Sequence, residues 1–294
     1  MNNTIWMIGQ SILNGLSMGG IYALVGVGLT IIFGVMKMVN FAQGEFLVIG
    51  MYCAYVLNRL TGLSPYILIV PTMIIVYAIG TLTFGGVIKP LIGHKGQYYT
   101  VATMGLSFVI QSVLQMIFSA NFLTVNTEVN KISVSFGGFS LGLPRIIACA
   151  FMLVFVVLVK LLLQKTDLGR AMRATSENTT VSRSLGINTN RMYGFSFALG
   201  VTFAAIAGVL LTPIYYVYPT AGTPFKTIAM TIIILGGAGN VTGAVISGLL
   251  AGLVEAFTAT FVSNNIAPAA VYVLLIIVLG VRPNGLFGKG ARVA

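Results

Sequence analysis

Residues 8–34 read IGQSILNGLSMGGIYALVGVGLTIIFG, an apolar run without a charged side chain. A helix needs about 20 such residues to cross the hydrocarbon core of a bilayer, so this run is long enough to span a membrane. Residues 1–9 contain no lysine or arginine and therefore lack the charged beginning of a cleaved signal peptide. We expect the first helix to be retained as a membrane span.

The composition extends this interpretation to the whole chain of 294 residues. Apolar types supply 57% of it and charged types only 7%, whereas ordinary soluble domains contain about 25% charged residues. A polytopic membrane protein is predicted, which excludes a cytosolic enzyme, a secreted disulfide scaffold and a nucleic-acid-binding module. Cys53 and Cys149 both lie in apolar runs, so we interpret them as buried hydrophobic side chains and not as a disulfide or metal ligands.

The apolar runs predict about eight transmembrane helices and one shorter segment. The ninth segment, 226–236, is too short to cross comfortably and ends in Gly236-Gly237-Ala238-Gly239-Asn240. It is interpreted as a broken or re-entrant helix, which is tolerated at membrane depth only inside protein or along an aqueous path. The predicted fold class is an all-α polytopic membrane protein. The eight spans lie near residues 8–34, 42–58, 65–88, 99–120, 145–164, 193–217, 241–262 and 266–282.

The basic residues predict how the chain is oriented. If segment 165–192 is cytoplasmic and 226–236 counts as a crossing, the N-terminus lies outside and the C-terminus inside. Most basic residues then lie inside, as the positive-inside rule expects, and the net charge of +11 follows from topology. Residues 1–294 are predicted to form a single membrane domain with a cytoplasmic loop at 165–192 and an outer loop at 121–144. The inner basic residues are Lys37, Lys89, Lys95, Lys160, Lys165, Arg170, Arg173, Arg183, Arg191, Arg282, Lys289 and Arg292, and the outer ones are Arg59, Lys131, Arg145 and Lys226.

Few residues are of a type and spacing that could catalyse a reaction or bind a metal or ATP. The single histidine, His94, lies in a loop, so the sequence predicts no metal site, no cofactor and no catalytic residue. The nearest approach to a phosphate-binding loop, residues 93–96, has the wrong order and spacing, so any ATP would have to be hydrolysed by another subunit. An intramembrane enzyme is a third hypothesis, for which the sequence offers no base–nucleophile pair.

Two carboxylates lie at the predicted membrane depth, where ionisable groups are costly and are functional candidates by default. Glu45 lies where the first helix gives way to the second, and Glu255 lies within an apolar helix. A proton- or sodium-coupled transporter would use such groups directly. The structural alternatives are that Glu45 caps the second helix and that Glu255 bonds a neighbouring helix or lies near the outer interface.

The inner loop 165–192 contains two candidate short helices. Residues 169–175 have helix-forming character, Thr179 or Thr180 could cap a second helix, and Gly186 could end it. The second helix would lie across the cytoplasmic face and dock its apolar side chains into a partner. A solvated basic loop is the alternative, which spacing alone favours. The docking side chains would be Val181, Leu185 and Ile187.

Several short motifs follow one another over nearly the whole chain: Asn14-Gly15-Leu16, Ile32-Phe33-Gly34-Val35, Asn40-Phe41-Ala42-Gln43-Gly44-Glu45, Gly169-Arg170-Ala171-Met172-Arg173-Ala174, Ser184-Leu185-Gly186-Ile187-Asn188, Leu235-Gly236-Gly237-Ala238-Gly239-Asn240 and Arg282-Pro283-Asn284-Gly285-Leu286-Phe287-Gly288. In this order they resemble the motifs of the branched-chain amino-acid ABC-transporter permeases. Gln43 stands where that family usually has histidine, residues 239–243 lack its proline, and the basic segment after the third helix is reduced to Lys89-Pro90-Leu91.

The resemblance implies the membrane permease subunit of an ATP-driven importer. It would move branched-chain or related hydrophobic amino acids across the plasma (bacterial inner) membrane by alternating access. The implied partners are a second homologous permease subunit, two cytoplasmic ATP-binding subunits, an extracytoplasmic substrate-binding protein and membrane lipid, with no nucleic acid. Two alternatives stay open: the same architecture carrying urea, short amides or other amino acids, and an ion-coupled secondary transporter using Glu45 and Glu255.

Two groups of candidate site residues result. The first is expected to couple the permease to its ATPase, and the second is expected along the translocation path. The coupling candidates are Gly169, Arg170, Arg173, Glu177, Arg183, Leu185 and Gly186. The path candidates are Asn40, Gln43, Glu45, Gly236, Gly237, Asn240 and Glu255.

Overall fold

The computed structural model describes residues 2–125, 132–136 and 139–288, which contain eleven α-helices and one β-hairpin. Each apolar run that the sequence predicted coincides with one of the helices. The helices are α1 (Asn2–Met36), α2 (Gln43–Thr61), α3 (Ile69–Thr83), α4 (Gly96–Phe118), α5 (Leu143–Lys165), α6 (Asp167–Glu177), α7 (Thr179–Ser184), α8 (Thr189–Leu211), α9 (Gly222–Gly236), α10 (Val241–Phe261) and α11 (Ala267–Val281). The antiparallel strands are β1 (Ser133–Phe136) and β2 (Phe139–Gly142).

Six of the described helices are long and apolar enough to cross a membrane: α1, α3 with its π and 3-10 extension to Leu91, α4, α5, α8 and α10. The predicted spans 42–58 and 266–282 correspond to α2 and α11, which do not meet these criteria. Polar residues at both ends of α2 lower its hydropathy, and α11 has only 15 residues. A short two-stranded hairpin lies within the predicted outer loop, and the membrane part of the described chain is helical, in agreement with the all-α prediction.

Helices α1 and α8 form the buried centre of the bundle, whereas α4 and α5 are mostly exposed. Glycine allows the central helices to approach closely. A Cβ atom at Gly19 would lie 2.8 Å from the Leu249 Cα atom, and one at Gly252 would lie 2.3 Å from the Gly19 nitrogen. The small residues of α1 therefore pack directly on those of α10, as small residues commonly do between transmembrane helices.

The bundle has two distinct ends. At the α6 end, α6 contacts the helices α1, α5 and α8; at the hairpin end, β2 contacts α1 and α5. Of the 13 lysines and arginines in the described part of the chain, ten belong to the α6 end and Arg59 and Arg145 to the hairpin end, while Lys226 lies in α9. The predicted charge count also used Lys131, Lys289 and Arg292, and the predicted outer loop included Asn126, Glu128, Asn130, Gly137 and Gly138, which all lie outside the described residues.

Candidate functional site

The segment between α1 and α2 carries the first group of predicted path residues. Helix α1 ends at Met36, and the next residue, Lys37, has a φ of 55° in the left-handed region. The Asn40 carbonyl oxygen Oδ1 accepts the Ala42 backbone N–H at 3.1 Å, and Asn40 Nδ2 donates to Gln43 Oε1 at 3.2 Å. Asn40 and Gln43 are both fully buried, so these bonds satisfy amide groups that would otherwise be costly in the core.

Gln43 joins three helices. Its Nε2 donates to the Gly200 carbonyl oxygen of α8 at 3.1 Å. A Cβ atom at Gly28 of α1 would lie 2.8 Å from Gln43 Nε2 and 2.3 Å from the Gly200 oxygen. The first turn of α2 is therefore fixed against the centre of both α1 and α8.

Glu45 forms an ion pair that links α2 to α9. Lys226 Nζ lies 3.2 Å from Glu45 Oε1 and also donates to Ser107 Oγ of α4 at 3.3 Å. Glu45 is only 3% exposed, while the Lys226 side chain keeps 22% of its surface accessible. The second carboxylate oxygen, Glu45 Oε2, is buried without a hydrogen-bond partner among the described residues.

The ion pair lies where two helices begin. A Cβ atom at Gly44 would lie 2.4 Å from the Gly222 carbonyl oxygen, and one at Gly222 would lie 2.2 Å from the Gly44 oxygen. The first turns of α2 and α9 therefore touch through their backbones. Both N-termini bring partial positive charge from unpaired backbone N–H groups to the vicinity of the Glu45 carboxylate.

The structure refines two expectations here. The sequence predicts Lys226 on the outer side, and the structure places it in the second turn of α9, where it pairs with a buried carboxylate. Glu45 lies in the first turn of α2 as expected, but its Oε1 pairs with Lys226 and its Oε2 has no partner among the described residues, so the alternative that it caps α2 is not supported. A lysine at the edge of the apolar run 226–236 was a signal that Lys226 needs a partner, although it does not say which residue that partner is.

Glu255 lies in a separate cluster. Its carboxylate interacts electrostatically with the phenols of Tyr22, Tyr215 and Tyr272, and its Oε2 has no hydrogen-bond partner within the described residues. Nothing in the described structure pairs it with Glu45. The two carboxylates that a coupled-ion mechanism would use therefore have different partners, a lysine for one and tyrosines for the other.

The predicted glycine-rich break lies at the α6 end and is covered by the last described residues, 282–288, which we call the C-terminal clasp. Leu286 donates its backbone N–H to the Leu235 oxygen at 2.8 Å. Asn240 caps α10 by accepting the Gly243 N–H at 3.1 Å and donates from Nδ2 to the Phe287 oxygen at 3.0 Å. Gly237, with φ of 92°, lies against the clasp where a Cβ atom would meet Gly288 at 2.5 Å. Gly236, Gly237 and Asn240 therefore form a braced turn apart from the Glu45 pair.

The predicted coupling loop folds into α6 and α7. Thr166 Oγ1 caps α6 by accepting the Gly169 N–H at 3.0 Å. Helix α7 is capped by Asn178, whose Oδ1 accepts two backbone N–H groups at 3.0 and 3.1 Å, and not by the predicted Thr179 or Thr180. Gly186 follows α7 with φ of 83°, a conformation that suits glycine and agrees with its predicted position.

The α6–α7 pair is anchored on one side and open on the other. A Cβ atom at Gly169 would lie 2.2 Å from the Leu162 oxygen of α5, while Thr179 bonds the Tyr193 hydroxyl of α8 at 3.1 Å. On the open side, the Val181 and Leu185 side chains are 52% and 73% exposed. The remaining coupling candidates are exposed at this surface: Arg170 (paired with Asp167), Arg173, Glu177, Arg183 (whose Nε donates to Thr189) and Gly186; Ile187 is half-buried.

A cavity of about 650 Å³ lies beside the α6–α7 pair (residues 167–184), which we call the elbow, between the end of α3 and the beginning of α8. Phe84 and Phe195 contribute aromatic walls, and Lys89 and Arg191 contribute positive charge. Leu168 of α6 also lines it. The cavity therefore connects the surface of the elbow to the side of a membrane-spanning helix.

Comparisons with known proteins agree with one another. Residues 11–280 match a family described as the permease component of the branched-chain amino acid transport system. The chain is 31% identical to the high-affinity branched-chain amino acid transport system permease protein BraD of Pseudomonas aeruginosa, with 95% of each chain covered. It is 29% identical to the corresponding protein LivH of Escherichia coli K12, again over 95% of each chain. The ribose import permease protein RbsC of Haemophilus influenzae is 25% identical over 84% of this chain and 76% of its own.

Among solved structures, PsaBC from Streptococcus pneumoniae in complex with Fab has a similar fold. The TM-score is 0.50 at 11% sequence identity, and the alignment covers 96% of this chain and 94% of that one. At this identity the likeness concerns the fold alone.

Proposed function

Because the chain belongs to the family of branched-chain amino acid transport permease components and is a multi-pass protein of the inner membrane, we propose that it is the membrane subunit of an ATP-driven importer for branched-chain or related hydrophobic amino acids. The subunit itself is not an enzyme. In this proposal ATP is hydrolysed by two cytoplasmic partner subunits, a second permease completes the membrane part, and an external binding protein delivers the amino acid.

One observation carries the proposal furthest: the α6–α7 elbow presents apolar side chains to solvent at the basic end of the bundle. Val181 in α7 and Leu185 directly after it are 52% and 73% exposed among exposed polar residues, and an apolar patch with a polar rim is typical of a protein–protein interaction site. Basic residues concentrate on the cytoplasmic side of membrane proteins. The α6 end is therefore the proposed cytoplasmic face, with the N-terminus outside and the C-terminus inside, and the elbow is the proposed docking surface for the ATPase.

The elbow could transmit force because both of its helices touch spanning helices. Gly169 packs against the last turn of α5, and Thr179 bonds Tyr193 on α8. Helix α8 in turn holds Gln43 through the Gly200 oxygen. A displacement of the elbow would reach the Asn40–Glu45 segment through α8, and we propose this segment as part of the translocation path.

The alternatives have less support. In an ion-coupled secondary transporter, Glu45 and Glu255 would bind the driving ion, yet Glu45 already neutralises Lys226 and Glu255 has tyrosine neighbours. A permease of the same architecture for urea, short amides or other amino acids would share the elbow. It would differ only in the substrate that the translocation path accepts.

A pair of matched double variants tests the docking surface. In Val181→Asp/Leu185→Asp, two exposed apolar side chains become charged, while Thr180→Asp/Ser184→Asp makes the same change one position earlier on the same helix. We expect the first to reduce uptake and ATPase stimulation more than about tenfold at normal membrane abundance, because a desolvated aspartate opposes docking. The control should keep most activity. Full uptake by the first variant would overturn the docking role.

The partners are tested by mild extraction of the tagged chain and mass spectrometry of what co-purifies. Recovery of a second permease and ATP-binding subunits is the expected result. Absence of an ATP-binding subunit even after crosslinking would contradict the ATP-driven proposal and favour the ion-coupled alternative.

A further inference from the structure

The Glu45–Lys226 pair is incompletely satisfied, which is unusual for buried charges. Lys226 Nζ donates to Glu45 Oε1 at 3.2 Å and to Ser107 Oγ at 3.3 Å. Glu45 is 3% exposed, yet its Oε2 has no partner in the described part of the chain. A buried acceptor left without a donor loses its hydration without compensation, and this loss is greater when the acceptor is charged. Because burial of an ion pair is seldom stabilising by itself, the pair calls for a functional explanation.

The Glu45–Lys226 pair has hydrogen-bonding groups that no described residue uses. A lysine ammonium has three N–H donors, of which two are used here. The carboxylate of Glu45 has one oxygen in use and one free. The pair therefore offers one free donor next to one free acceptor, and the Lys226 side chain retains 22% accessibility through which a ligand could approach.

The surroundings favour a ligand with both charges over one with a single charge. The first turns of α2 and α9 meet at Gly44 and Gly222, and their N-termini favour a carboxylate. The Glu45 carboxylate favours an ammonium. An α-amino acid carries these two groups on one carbon atom, so both can be bound at a single position.

We propose that the Glu45–Lys226 pair receives the zwitterionic head of the transported amino acid, whose ammonium donates to Glu45 Oε2 and whose carboxylate accepts from Lys226 Nζ. This rests on the proposed function and specifies its substrate class as free α-amino acids. Urea and short amides carry neither charge, so they could hydrogen-bond the pair but would lack the charge complementarity of a zwitterion. Around it, the aliphatic side chain of the substrate needs only the apolar and small residues that dominate these helices.

The test uses the complete transporter, with its partner subunits and binding protein, reconstituted in liposomes with internal ATP. Leucine uptake is compared among the wild type, Glu45→Gln, Lys226→Gln and the double variant Glu45→Gln/Lys226→Gln. The control is Arg145→Gln, which removes another interhelical cation, one that donates to Asn14 at 2.6 Å near the hairpin end. Thermal unfolding of each variant in detergent reports stability separately.

The double variant is decisive because it removes both charges and leaves no unpaired ion. We expect it to unfold close to the wild-type temperature but to take up leucine about tenfold more slowly, since the charged groups of the zwitterion then meet neutral amides instead of groups of opposite charge. Each single variant should lose both stability and uptake, whereas Arg145→Gln should retain uptake.

Two results are distinguishable from this expectation. Wild-type uptake by the double variant would mean that the pair only holds α2 to α9, which overturns this inference and leaves the proposed function intact. Absence of leucine uptake by the wild-type assembly would overturn the proposed function itself.

Discussion

The side-chain amide of Gln43 donates to the carbonyl oxygen of Gly200 across 3.1 Å, and this bond joins the first turn of α2 to the middle of α8. Gly200 can approach because it has no side chain: a Cβ atom there would lie 2.5 Å from the Gly28 oxygen of α1. Three helices thus meet at one buried amide. The proposed path begins at a junction that is both tightly packed and hydrogen-bonded.

We predict that Gln43→Leu destabilises this junction. The change leaves the buried Asn40 Nδ2 without its acceptor and removes the bond to the Gly200 oxygen, which keeps its bond within α8. The loss should be about 1–3 kcal/mol, the usual cost of a stranded buried polar group. Thermal unfolding in detergent measures it, with the exposed Gln97→Leu as the control. Equal unfolding temperatures for the two variants would contradict the assignment.

The contact between α1 and α10 predicts a contrast between two glycines. Gly252→Ala places a methyl group within 2.3 Å of the Gly19 nitrogen, so the helices must separate, at a cost of about 1–3 kcal/mol. Gly105→Ala in α4 meets no atom within 4 Å and should be neutral or slightly stabilising, since alanine favours helix. Membrane abundance and unfolding temperature should fall only for the first variant. A similar loss for both would argue against close packing at Gly252.

Local features of this chain were predictable from sequence, and long-range ones were not. Apolar runs predict the spanning helices, and the helix-ending glycine Gly186 helps to predict α6 and α7. These signals work because a helix depends on residues that are close together in the sequence. The Glu45–Lys226 pair joins positions 181 residues apart, so no local pattern contains it. The hairpin was missed although Val134, Phe136, Phe139 and Leu141 alternate around a glycine pair, a pattern typical of two short strands.

The cap of α7 gives a prediction about coupling. Asn178→Ala removes the acceptor for two backbone N–H groups and should destabilise α7 by about 1 kcal/mol. The variant should remain abundant in the membrane, because α7 is short and lies at the surface, but its ATPase stimulation by loaded binding protein should fall. Asn178→Asp retains the acceptor and serves as the control. Loss of stimulation in both variants would point to the Asn178 side chain contacting the partner directly.

Asn240 has two roles, the cap of α10 and the bond to the C-terminal clasp, and a change of one atom in its side chain distinguishes them. Asn240→Asp keeps the oxygen that accepts the Gly243 N–H but loses the nitrogen that donates to the Phe287 oxygen. We expect faster hydrogen–deuterium exchange in residues 282–288 with little change in α10. Asn240→Ala should affect both regions. Unchanged exchange in the clasp of the aspartate variant would show that Leu286 alone holds it.

Glu255 separates the ATP-driven proposal from the ion-coupled alternative. Its neighbours are the phenols of Tyr22, Tyr215 and Tyr272, which can hydrogen-bond a neutral amide as well as a carboxylate. If the carboxylate only joins helices, Glu255→Gln should retain more than about half of the wild-type uptake, because the amide still offers an acceptor oxygen. Uptake into ATP-loaded vesicles should also resist proton and sodium ionophores. A transporter driven by an ion bound at Glu255 would instead lose uptake on both treatments, and that joint loss would overturn the ATP-driven proposal.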